Sequence, residues 1–167
     1  MHLPCTQRMV GFTIVELIFV IVMVSILSVY AMMRSYSTGE LSLPSQAQKM
    51  ASDIRHAQTL ATTQGKRLRI TITAAANGNY KVLPCTVNAG VVTCTATPVT
   101  DPVTGAGFSV NLKNGVVLAG TATLDFSSLG QPLDSSGAST SASYTLTSGS
   151  VETITVAALT GYVTVAP

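Results

Sequence analysis

Charge is what this sequence has least of. Lys, Arg, Asp and Glu together make up 10% of its 167 residues, against roughly 25% in soluble domains. Part of the deficit lies in residues 12–33, and the rest in a C-terminal region rich in Ser, Thr, Ala, Gly and Val. The net charge of +2 is too small to argue for nucleic acid by itself. Gly-rich phosphate loops, paired carboxylates set for acid–base work and nucleophile-type serine motifs are all missing. No catalytic residue, no metal site and no cofactor is therefore assigned. His56 follows Asp53 by three residues on a predicted helix, so the two could meet side by side; without an identifiable serine partner it reads as an exposed helical histidine. No internal repeat is evident.

Cysteine is also scarce, with three in all. Cys5 precedes the longest apolar run, while Cys85 and Cys94 lie close together and lack CxxC spacing. Such a pair reads as a disulfide in an oxidising compartment. Zinc is the weaker reading, because two cysteines and the distant His56 leave no fourth ligand at recognisable spacing. A bridge would close a loop of about ten residues and contribute roughly 2–3 kcal/mol. Nothing nearby would lower a thiol pKa for redox work.

What the chain does have is GFTIVELIFVIVMVSILSVYAMM, residues 11–33, between Arg8 and Arg34. From Phe12 to Met33 a helix would extend roughly 33 Å, close to a hydrocarbon core. A secretory signal peptide with SVYA (28–31) at its cleavage site is the simplest alternative. It fits poorly, because the run continues through Met32 and Met33 without a polar region. A plain signal anchor leaves Glu16 unexplained, since an acidic side chain in mid-membrane costs roughly 2.5–3.5 kcal/mol. Near the end of the run that cost is smaller, and the positive end of the helix dipole lies there. A new α-amino group at Phe12, made by cleavage after Gly11, would lower it further. Across a helix–helix interface such an amine and Glu16 could pair.

MVGFTIVELIFVIVMVSIL resembles the leader and N-terminal helix of type IV pilins and type II secretion pseudopilins. The resemblance implies that a prepilin peptidase cuts between Gly11 and Phe12 and methylates Phe12, and that Glu16 guides filament assembly. Cys5 would leave with the leader. It also implies other pilin or pseudopilin subunits, the peptidase and the assembly platform of the filament machine as partners. The location implied is the bacterial inner membrane, crossed once, with a cytoplasmic N-terminus and a periplasmic C-terminal domain. Many major pilins bend at a proline inside this helix, where the present chain has Met33.

After Arg34, Gly39 and Pro44 predict a break or kink near 37–44. Helical periodicity resumes at Met50, Ile54, Ala57 and Ala61, widened by Leu60, and Gly65 is a natural stop. In KRLRITIT, Leu68, Ile70 and Ile72 alternate with polar residues as in a half-buried strand. Asn77–Gly78 signals a hairpin into YKVLPC. Further strands are predicted at 108–112, 115–119, 122–126, 144–147, 151–157 and 162–166, and an exposed loop at 134–143. The expected fold is α+β: a long N-terminal transmembrane helix, interrupted near 37–44, packed on a C-terminal antiparallel β domain. The expected organisation is leader 1–11, membrane helix 12–34, linker and second helical part 35–65, and extracytoplasmic β domain 66–167.

The C-terminal half, with DIRHAQTLATTQGKRLRI, TLDFSSLGQP and ITVAALTGYVTV, is similar to the minor pseudopilins and minor pilins of the GspH/FimT group. The cues are an Ala-rich helix before a strand, Phe126-x-x-x-Gly130, and Gly161 in the last strand. Gln58 stands where many members have arginine. Some members bind DNA through Gly-Arg-x-Arg in the final strand; here Gly161, Tyr162, Val163 and Thr164 lack both arginines, so that surface cannot supply phosphate contacts. Lys66, Arg67, Arg69 and Lys81 could form a different basic patch, with only Tyr80 as a stacking aromatic, or else a solvated strand face that discourages edge pairing. A minor subunit of a secretion pseudopilus or pilus is the leading expectation, and a DNA-binding minor pilin for natural transformation the alternative.

Overall fold

The computed structural model describes residues 13–34, 38–101 and 104–167, with side chains placed for 13–28, 42–101 and 104–167. The chain falls into two compact units that divide between Ser37 and Thr38. Among its described residues the first contains one helix, α1 (Ile14–Arg34). Its placed side chains, through Ser28, are all exposed. Among the described residues no helix is long and apolar enough to cross a membrane.

The second unit opens with α2 (Thr38–Gln64). The predicted break near 37–44 must be corrected within this span, because the helix runs through Gly39 and Pro44. A proline in a helix interior forfeits a backbone hydrogen bond and costs about 3 kcal/mol. Leu43 and Met50, on either side of it, are fully buried; each such side chain contributes roughly 1.5–3 kcal/mol, so packing outweighs the lost bond. Met50, Ile54, Ala57 and Ala61 form the expected stripe, extended by Leu43, Ala47 and Ala51. Small alanines let the helix lie close to the strands beneath. Gly65, at φ +61°, ends the helix: Lys66 N–H donates to Ala61 O at 3.1 Å and Gly65 N–H to Thr62 O at 3.3 Å, the paired bonds of a Schellman stop.

Eleven strands follow among the described residues: β1 (Arg67–Thr73), β2 (Ala75–Ala76), β3 (Asn79–Asn88), β4 (Val91–Cys94), β5 (Ser109–Asn111), β6 (Val117–Gly120), β7 (Thr123–Phe126), β8 (Pro132–Leu133), β9 (Ala142–Ser148), β10 (Ser150–Val156) and β11 (Val163–Ala166). They build two sheets, ordered β4-β3-β1-β7-β8, with β5 also on β3, and β11-β10-β9-β6-β2. Neighbours pair antiparallel throughout. Helix α2 lies against both, meeting β1 and β7 of the first and β9, β10 and β11 of the second. Leu68, Ile70, Tyr80 and Val82 from one sheet join Leu118, Tyr144, Leu146 and Ile154 from the other in a single core.

The α+β class with antiparallel pairing agrees with the sequence reading. The hairpin at Asn77–Gly78 is wider than the dipeptide alone suggests. Thr73 pairs with Asn79, and Ala75–Ala76 leave to form β2 on the second sheet. Three strands escaped prediction, namely β2, β4 and β8; two of them have two residues each, too short to show a period.

Candidate functional site

The expected cleavage and methylation positions, Gly11 and Phe12, lie outside the described residues. Glu16 is described, in the first turn of α1. Its N–H donates to Thr13 Oγ1 at 3.2 Å, and Leu17 N–H donates to Thr13 O at 3.1 Å. Thr13 therefore caps the helix, and Thr13-x-x-Glu16 is a capping-box pattern that the sequence carries in plain view. The carboxylate sits at the positive end of the helix dipole, and no described group bonds to it.

The four residues of the predicted basic patch do not make one free surface. Asp125 on β7 stands directly opposite Arg69 on β1 and is 1% exposed. Arg69 Nε donates to Asp125 Oδ1 at 2.6 Å and its Nη2 to Oδ2 at 2.9 Å. Arg67 Nε reaches Oδ2 at 2.8 Å, and Arg67 Nη2 also bonds Asp134 O at 2.7 Å. A buried carboxylate must be paired and hydrogen-bonded, and here two guanidinium groups do both. Asp125 also holds the Arg69 guanidinium protonated even more firmly than usual. Both arginines are thus committed within the fold, and only Lys66 and Lys81 of the four remain outside this cluster. The alternation that marks β1 as half-buried conceals an acidic partner 56 residues away.

Gln58 makes a second convergence. Its Nε2 donates to Gly130 O at 2.8 Å and to Thr160 O at 3.0 Å. Gly130 and Gly161 have positive φ, +79° and +67°. A methyl group on Gly161 would collide with the Gln58 amide, and one on Gly130 would meet Thr62 Cγ2 at 2.9 Å. The motif glycines read from the sequence are therefore two turns that close on one α2 side chain. A neutral amide thus ties the two turns together.

Tyr80 and Asp53 form a third feature, unread in the sequence. Tyr80 Oη donates to Asp53 Oδ2 at 2.6 Å, and Lys49 Nζ donates to the same oxygen at 2.9 Å. Burial, then the bond to Asp53, pushes the Tyr80 phenol well above its ordinary range. His56 does not join them; its ring lies 5.9 Å from that of Phe108. Cys85 and Cys94 face each other in the β3–β4 register, with their sulfurs at bonding distance.

A family model described as type II transport protein GspH matches residues 46–160. The matched span takes in most of α2, the Arg67–Arg69–Asp125 cluster, and both Gln58 and Gly130; the Glu16 region lies outside it. No curated protein and no solved structure matches the chain.

Proposed function

We infer, because the chain belongs to the GspH family of type II transport proteins, that it works as a minor pseudopilin: a structural subunit of a secretion pseudopilus or a related pilus. Its work is associative rather than catalytic. The apolar α1 joins neighbouring helices, and the β domain offers a surface to other subunits. In this reading prepilin peptidase cuts between Gly11 and Phe12 and methylates Phe12. The mature chain is anchored once in the inner membrane, with its C-terminal domain in the periplasm. Glu16 then pairs with the new α-amino group of an adjoining subunit during assembly at the platform.

One observation carries this reading. All the placed side chains of α1 are exposed, from Ile14 at 78% to Leu27 at 63%, and Glu16 is the sole charge among them. So large an apolar surface is stable only when covered by lipid or by other helices. Mass spectrometry of protein purified from its native host should find the mature N-terminus at a methylated Phe12. A chain beginning at Met1, or beyond Ala31, would overturn the reading. Gly11→Ala should sharply reduce leader removal. Glu16→Ala should leave removal intact but impair incorporation into filaments.

A further inference from the structure

Between α2 and the strand region 109–114 runs a groove of about 630 Å³. Ser42, Gln46 and Lys49, spaced four and three apart, line its helical side, and Ser109, Asn111 and Lys113 line the other. Gln46 ties the two sides together. Its Oε1 accepts from Lys113 N–H at 2.8 Å, and its Nε2 donates to Lys113 O at 3.2 Å.

The strand side is an open edge, since among the described residues β5 pairs only with β3. Val82 N–H donates to Phe108 O at 3.0 Å and Leu112 N–H to Gly78 O at 2.8 Å. In an antiparallel ladder every second residue makes these inward bonds, so Val110 turns its N–H and C=O toward Tyr80. Ser109 and Asn111, which line the groove, turn theirs away from β3. Ser109 N–H is used by Gly107 O at 2.7 Å, which among the described residues leaves the Asn111 N–H and C=O and the Ser109 C=O for an incoming strand.

Charge selects among strands. Lys49 is committed to Asp53, and Asp101 sits on the loop side of the groove. Lys113 is exposed and has no described ion-pair partner. An extended segment with a carboxylate side chain beside Lys113 would satisfy both the edge and the ammonium; a basic segment would meet Lys113 with like charge. We propose that this groove receives an extended, acid-bearing strand of a neighbouring filament subunit, added to the free edge of β5. The choice of source rests on the filament reading above; the peptide chemistry does not.

The test uses the full chain in detergent micelles, followed by amide NMR. The probes are acetyl-Thr-Val-Glu-Val-Thr-amide and its lysine counterpart. The glutamate peptide should shift the Ser109 and Asn111 signals, slow exchange of the Asn111 amide, and bind about threefold or more tightly than the lysine peptide, as one exposed ion pair allows. Lys113→Gln should erase that preference. Asn111→Pro removes the outward donor but keeps the Val110 bonds to β3, and should abolish the shifts. Equal response to both peptides, no response, or binding indifferent to Asn111→Pro would overturn the groove. A photo-crosslinker at Ser109 in the native host tests the source. Adducts with an acidic extended segment of another filament subunit support it, and adducts confined to other proteins overturn it. If the unsubstituted chain never enters filaments, the functional reading fails whatever the peptides do.

Discussion

Gln58 on α2 and Gly130 in the turn after β7 share a 2.8 Å hydrogen bond across 72 residues of chain. The same amide reaches Thr160 O, so one side chain holds two turns against the helix. Gly161 beside it has both a positive φ and no room for a methyl group. Gly161→Ala should therefore destabilise the domain by about 2–4 kcal/mol, from backbone strain and the forced shift of Gln58 together. Thermal unfolding by circular dichroism measures this. Adding Gln58→Ala should recover the steric part but not the strain; a double variant as unstable as the sum of the two singles would mean that the clash is not the cause.

Two buried tyrosines should respond oppositely to losing their hydroxyls. Tyr144 Oη is buried with no described partner, so Tyr144→Phe should be neutral or stabilising by up to about 1 kcal/mol. Tyr80→Phe loses a 2.6 Å bond to Asp53 and should cost about 1.5–3 kcal/mol, the range for bonds to charged groups. Urea unfolding of both variants at neutral pH gives the comparison.

The same pair sets the alkaline behaviour. Burial raises both phenols above the ordinary 10.0, so the unfolded chain loses these protons first. Below pH 10 neither tyrosine makes stability depend on pH. Above it stability should fall, and continue to fall until the folded-state phenols ionise. The double Phe variant should show a shallower fall between pH 10 and 11; an unchanged slope would assign the loss to other groups.

Much of this was legible in the sequence, for reasons that differ by element. The stripe Met50, Ile54, Ala57 and Ala61 and the alternation Leu68, Ile70 and Ile72 are periodic, and periodicity survives in one dimension. Gly65 and Asn77 were legible because a positive φ restricts the choice of residue. Pro44 misled because its local cost is visible and the burial of Leu43 and Met50 that offsets it is not. Arg67 and Arg69 misled similarly: charge can be read along a strand, but the buried Asp125 opposite them belongs to another part of the chain. The groove beside β5 could not be foreseen at all, since it depends on which strand is left without a neighbour.

The cluster around Asp125 makes a sharp stability prediction. Asp125→Asn keeps the shape but removes the counter-charge from Arg67 and Arg69, whose side chains are only 10% and 17% exposed. Breaking such a pair from one side should cost about 3–5 kcal/mol. Arg69→Met should cost less, because Arg67 still serves the carboxylate. Equal losses in the two variants, measured by denaturant midpoint at unchanged slope, would mean that Arg67 contributes nothing there.

That cluster also bears on DNA. Phosphate binding releases counterions and is strongest at low salt, with each contact adding about 0.9 to the salt-dependence slope on duplex DNA. In this chain Tyr162 stands just before β11 and Thr164 within it, with no arginine at either place, and the two arginines of β1 are held by Asp125. Freeing them would mean breaking the buried pairing just described, a cost several exposed phosphate contacts would struggle to offset. Lys66 and Lys81 alone should give a slope no steeper than about −2 and negligible affinity at physiological salt. A gel-shift titration of the full chain in detergent with a short duplex, at low and at physiological salt, should show no retardation at the higher salt. A retarded band that persists there, and that weakens in an Arg67→Gln, Arg69→Gln variant which still folds, would reverse the assignment of those arginines.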